Sequence, residues 1–271
     1  MKDGSDSFDR AFFVDGQERN SLRNARQAGE KPRLRRFYKE VATGPATGGD
    51  TVLLDGKPLR TPAKAAFVAP SQALAQAVAA EWAAQGEEIE PATMPLTRLS
   101  NSAIDGVAAR MEEVEADAAA YARSDLVCYR AGEPEALLRA ETQAWDPLLH
   151  FARERFGARL VLVEGVMHQA QPEPAVAALA GAIHAHVGEG PAAPFRLAAL
   201  HAMTTLSGSC VIALAVAMGE IDADAGFDAA QVDEDYQLRL WGADSEALAR
   251  RERRREEMRA AAQMSRLAAR P

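Results

Sequence analysis

The strongest constraint on the fold is a change of hydrophobic period at Pro70-Ser71. Upstream, residues 37–43, 51–54, 57–60 and 66–68 are short extended runs separated by turn residues, the pattern of strands. Asp55-Gly56, set between Val52-Leu53-Leu54 and Lys57-Pro58-Leu59, predicts a two-residue hairpin, because such turns hold their central residues at positive φ. Residues 44–50 read as the loop before it. Pro58 cannot donate a ladder hydrogen bond, which puts its strand at a sheet edge or on a bulge.

Downstream the period becomes helical. Ser71 is a natural N-cap, and Leu74, Val78 and Trp82 recur at i, i+4 and i+8 before Gly86 stops the helix. Further helices are predicted over 96–105, 107–124, 134–144, 147–156, 174–187, 195–206, 209–218, 229–241 and 245–267. Asp146 and Pro147 read as the start of the helix over 147–156, and residues 159–163 as one more short strand. The 58 alanines favour helix throughout this part. The expected class is α+β: a flexible arm over 1–35, a small N-terminal β domain over 36–70, and a larger, mainly α-helical C-terminal domain over 71–271.

Charge and composition remove several classes of function. A formal charge of -8 opposes nonspecific nucleic-acid binding, which requires a concentrated basic surface. The basic cluster over 19–36 is interrupted by Glu30 and preceded by Glu18, so it reads as a solvated lead-in and not as a mitochondrial presequence. The N-terminus has no secretory pattern, and the apolar run from Cys210 to Met218 is roughly half the ~20 residues a membrane span needs. These features predict an intracellular chain without a membrane span. Cys128 and Cys210 sit far apart in apolar settings and read as two buried thiols.

Few residues suggest chemistry. The Gly-rich stretch over 44–51 lacks the lysine of a phosphate loop. Ser207-Gly208-Ser209-Cys210 lacks the pattern of a nucleophile turn and reads as a glycine-permitted close helix contact. Of the five histidines, His150, His168, His184, His186 and His201, the pair His184 and His186 points to different helix faces and forms no shared metal site. Asp233-Glu234-Asp235 is the most concentrated acid cluster in a patterned region. It could bind a divalent metal, form the first turn of a helix whose apolar face is Val232, Tyr236, Leu240 and Trp241, or face a partner. Trp82, Trp145 and Trp241 have apolar helical neighbours, which favours core positions.

An ordered set of strings resembles one family. The strings are Arg36-Phe37-Tyr38-Lys39, Leu54-Asp55-Gly56-Lys57-Pro58-Leu59-Arg60-Thr61-Pro62, Ala80-Glu81-Trp82, Met94-Pro95-Leu96-Thr97 and Asn101-Ser102-Ala103-Ile104-Asp105. They continue with Ser124-Asp125-Leu126-Val127-Cys128-Tyr129-Arg130, Gln143-Ala144-Trp145-Asp146-Pro147-Leu148-Leu149 and Asp233-Glu234-Asp235-Tyr236-Gln237, then Trp241-Gly242. Over residues 36–250 the chain resembles the assembly chaperones of the ATP synthase F(1) sector that handle the alpha subunit, found in mitochondria and some bacteria.

The resemblance implies a two-part fold, no catalysis, no cofactor and no small-molecule substrate. Its implied partner is the unassembled alpha subunit, whose beta-facing surface the chaperone would cover until assembly. It marks Glu234, flanked by Asp233 and Asp235, as the partner-binding acid, and leaves Trp82 and Trp241 as structural or partner-binding candidates. The expected location is cytoplasmic, or the mitochondrial matrix for a eukaryotic source. Two alternatives remain at this level: a metal-dependent hydrolase built on Asp233-Glu234-Asp235, and a regulatory scaffold that binds assembled F(1).

Overall fold

The computed structural model describes residues 34–268 apart from Val166, His168 and Ala243, so most of the arm read over 1–35 and His168 lie outside the described residues. The chain divides between Ala109 and Arg110 into two compact units.

In the first unit, β1 (Val41–Ala46), β2 (Gly49–Leu54) and β3 (Lys57–Pro58) form an antiparallel sheet in that order. The register pairs Val41 with Leu54, Ala46 with Gly49, and Leu53 with Pro58. Asp55 and Gly56 both have positive φ, as the hairpin signal requires, and Pro58 lies on the edge strand. The loop expected over 44–50 is a second tight hairpin instead, turning at Thr47-Gly48 while its flanking residues pair as strand. Glycine hides this strand from a propensity reading, yet at Gly49 it is required. A Cβ there would lie 2.0 Å from the Ala69 carbonyl oxygen, where Asp50 and Ala69 exchange backbone hydrogen bonds of 3.0 and 2.7 Å.

Helix α1 (Gln72–Ala83) starts where the period change placed it, with the Ser71 hydroxyl accepting from the Leu74 N–H. It buries Leu74, Ala75 and Val78 over the sheet, where Val52, Leu54 and Phe67 are also buried. After α2 (Pro95–Ser102) the backbone passes through a single π-helical stretch, Ala103–Val107. Strand gives way to helix near residue 70, while the compact unit continues to Ala109.

The second unit contains α3 (Met111–Ala120), β4 (Tyr129–Arg130), α4 (Glu135–Phe156), β5 (Val163–Glu164), α5 (Glu173–Val187), α6 (Ala193–Ser207), α7 (Cys210–Ala217), α8 (Ala223–Ala230), α9 (Val232–Trp241) and α10 (Ser245–Ala268). Its β4 and β5 form a two-residue parallel pair. Helices α6 and α7 are buried almost all round and form its centre, as expected of helices without a polar face. Cys128 and Cys210 are both free and buried.

Four further expectations are corrected. The helices predicted over 134–144 and 147–156 are one helix, with Pro147 inside α4. An interior proline costs about 3 kcal/mol. Here Leu137, Glu141 and Trp145 before it and Leu148, Phe151 and Ala152 after it are all buried, and burial on both sides keeps the helix continuous. The helix predicted over 229–241 is two, α8 and α9, separated at Gln231. Gly208 is not a close-contact glycine: it ends α6 in the left-handed conformation, φ 70°, and the nearest foreign atom to a Cβ there would be 3.9 Å away. Finally, residues 250–257, whose acids and bases alternate at helical spacing and leave almost no apolar stripe, predict a solvated terminal helix, and the structure packs that helix instead. Its second half buries Met258, Ala260, Ala261, Met264 and Ala268. Several of its arginines are engaged by other helices: Arg255 pairs with Asp224 and Asp228, and Arg254 donates to the Leu206 carbonyl oxygen.

Candidate functional site

Helix α9 stands apart because none of its ten residues is buried, whereas every other described α-helix of the second unit buries at least two. Three acids in its first turn suit the positive end of the helix dipole, Arg239 suits the last turn, and Gly242 ends it. Successive side chains on a helix diverge by about 100°. The acid trio therefore cannot act as one cluster.

Asp233 is half-buried and points toward Glu141 of α4; one of its carboxylate oxygens is enclosed without a partner. Burial holds the Glu141 carboxyl above its ordinary range, opposed by the Ala131 N–H and reinforced by Asp233. Asp235 forms an ion pair with Arg251 of α10. Glu234 alone is exposed and bonded to no described residue. The expected apolar face divides as well: Val232 and Tyr236 are half-buried, but Leu240 is 59% and Trp241 82% exposed. The core position expected of Trp241 is thus not taken, because α9 ends at Gly242 and no described element covers the indole.

The other tryptophans are held by the fold. Trp145 is fully buried and donates to the Ala229 carbonyl oxygen at 2.7 Å. Trp82, in the first unit, packs edge-on to Tyr38 with ring centroids 5.6 Å apart, and its carbonyl accepts the Tyr38 hydroxyl at 2.7 Å.

Three acids inside the motif strings have roles that sequence reasoning missed. The Glu81 carboxylate accepts from the Leu96 N–H, the Thr97 N–H and the Thr97 hydroxyl, each at 2.7 Å. It caps α2 from another helix, since Met94 at the N-cap position has no side-chain acceptor. Burial holds the Glu81 carboxyl above its ordinary range despite these three donors. The signal available was Pro95 at a helix start preceded by a residue unable to cap. Asp125 is fully buried and accepts from the Val127 N–H and the Val211 N–H at 3.2 Å and the Cys210 thiol at 3.3 Å, joining the turn Leu126–Cys128 to the start of α7. Burial pushes its carboxyl up, and pushes the neighbouring Cys128 thiol up to about 12. Between them in sequence, Asp105 accepts from the Thr61 hydroxyl at 2.6 Å and the Ala63 N–H at 3.1 Å. Many of the strings that suggested a family are thus ties between segments of the fold.

No group of three His, Cys, Asp or Glu able to hold a metal ion occurs among the described residues. No described helix is long and apolar enough to cross a membrane.

Residues 35–153 match the family model of the ATP12 chaperone protein. The crystal structure of Atp12 from Paracoccus denitrificans is 40% identical and superposes with a TM-score of 0.79, covering 87% of this chain and 99% of that one. The chain belongs to the ATP12 chaperone family. A candidate chaperone from Agrobacterium tumefaciens is 45% identical, with a TM-score of 0.84, covering 97% of this chain and 98% of that one. The mitochondrial protein atp12 of Schizosaccharomyces pombe is 28% identical over 144 residues. That match spans half of this ATP12-family chain and half the length of the curated relative.

Proposed function

We propose that this chaperone acts in ATP synthase assembly by binding the unassembled alpha subunit of the F(1) sector. Membership of the ATP12 family, supported by near-complete coverage of the Paracoccus structure, is the observation that carries the reading. The chaperone shields the beta-facing surface of alpha, whose apolar groups would otherwise self-associate, and beta displaces it during assembly. Such a holder needs a moderate, partly polar contact that a larger native interface can outcompete. It acts without catalysis, cofactor or nucleic acid of its own.

Glu234 is the acid we assign to the client. Asp233 and Asp235 are turned to Glu141 and Arg251, which leaves Glu234 as the charge free to guide docking. The test is co-elution of purified chaperone with isolated alpha subunit, together with light scattering of alpha alone. A stoichiometric complex and suppressed scattering are expected; absence of both would refute the reading. Pull-down against intact F(1) separates it from a scaffold that binds only the assembled complex.

A further inference from the structure

The outward face of α9 carries more than an acid. Glu234, Gln237 and Trp241 are all exposed and spaced i, i+3 and i+7, so they share one face. Glu234 and Trp241 lie about 10 Å apart along the axis, two helical turns. Just beyond, Ala247 N–H donates to Asp244 at 2.7 Å to cap α10, whose first turns present Leu248, 50% exposed. The Asp235–Arg251 ion pair ties the two helices across this corner. Leu240, Trp241 and Leu248 are therefore exposed apolar side chains near the ends of these two helices, and the indole is the most exposed of the three.

The charges around this corner say what kind of surface it fits. Arg250 is engaged by Glu246 at 3.0 Å, Arg251 by Asp235, and Arg239 lies over the Tyr236 ring at 5.8 Å. Arg250 and Arg251 are thus paired, and Glu234, two turns from the indole on the same face, has no ion-pair partner among the described residues. Tryptophan is among the side chains most enriched at interface hot spots, where it fills a desolvated pocket while peripheral charges set orientation.

We infer that Trp241 is the apolar anchor of client docking, and that it enters an apolar recess on the alpha subunit bordered by lysine or arginine facing Glu234. This rests on the alpha-subunit reading above. Partner-guided docking by charge and anchoring by the indole are then separate contributions from one helix face.

The test titrates full-length chaperone with isolated alpha subunit and compares wild type with Trp241→Ala and Glu234→Lys. Trp241→Ala should weaken binding at least about tenfold, with little dependence on salt and no change in melting temperature. Glu234→Lys should weaken it in a salt-dependent way. Acrylamide should quench Trp241 in the free chaperone and fail to do so in the complex, read as the difference between wild type and Trp241→Phe. Wild type that binds alpha while Trp241→Ala binds equally well overturns the anchor and leaves the alpha-subunit reading standing. Wild type that does not bind alpha overturns both, and a free chaperone that already shields Trp241 in a dimer makes a second copy the occupant and overturns the anchor.

Discussion

Helices α7 and α9 belong to the same unit and have opposite relations to it. Seven of the eight residues of α7 are buried, whereas α9 buries none of its ten. Apolar burial contributes about 25 cal/mol per Å². The stability of this unit therefore resides in α6, α7 and the elements around them, and α9 is a surface feature carried by that core. Side chains on α9 are free to be chosen for what they meet outside, while those around α7 are constrained by what they meet inside.

That division can be broken most forcefully at the core. Trp145→Ala removes a fully buried indole and its bond to the Ala229 carbonyl, and is expected to cost about 3–5 kcal/mol in denaturant unfolding. A cost near zero would mean that the centre of the unit is misplaced.

Asp125 gives the next largest effect and a pH signature. Asp125→Ala strands the Val127 and Val211 N–H donors inside the core, at a cost of about 2–3 kcal/mol. Burial raises its folded pKa above the ordinary 3.8, so the folded chain keeps a proton that the unfolded chain loses. The contribution of this group to stability therefore falls as pH rises from about 3.8 through the folded pKa. Asp125→Asn should flatten that part of the stability profile, and a steeper profile in the variant would contradict the assignment.

In the first unit, Glu81→Ala leaves the α2 N-terminus without its acceptor and should cost about 1–2 kcal/mol, with Glu81→Gln recovering part of the loss. Equal stability of all three proteins would show that the remote cap is unimportant. The smallest stability effect belongs to α9: Glu234→Lys should change unfolding free energy by less than about 0.5 kcal/mol. A loss as large as that of Asp125→Ala would move Glu234 from the surface class to the structural one.

What was legible in the sequence was local. The Asp55-Gly56 turn, the edge position of Pro58 and the Ser71 cap each depend on backbone geometry within a few residues, and all three are observed. What was hidden depends on partners distant in sequence. Glu81 caps a helix 15 residues away, and Pro147 sits inside α4 because burial on both sides outweighs its intrinsic cost. The arginines of α10 read as solvated because their partners Asp224, Asp228 and Asp235 belong to other helices.

At the candidate site, the three acids read in the sequence as one cluster, although helical spacing turns them to different sides. Which of them faces outward could not be read, since that depends on Glu141 and Arg251. The exposure of Trp241 was missed for a related reason: apolar neighbours in sequence are not neighbours in space when the helix they share has no buried side.

The most direct measurement is size-exclusion co-elution of isolated alpha subunit with wild-type chaperone and with Glu234→Lys, both first shown to melt at the same temperature. A stoichiometric complex with wild type and a markedly weakened one with the variant is the expected result. No complex with wild type, or equal complexes with both, would contradict the proposal that the exposed face of α9 receives the alpha subunit.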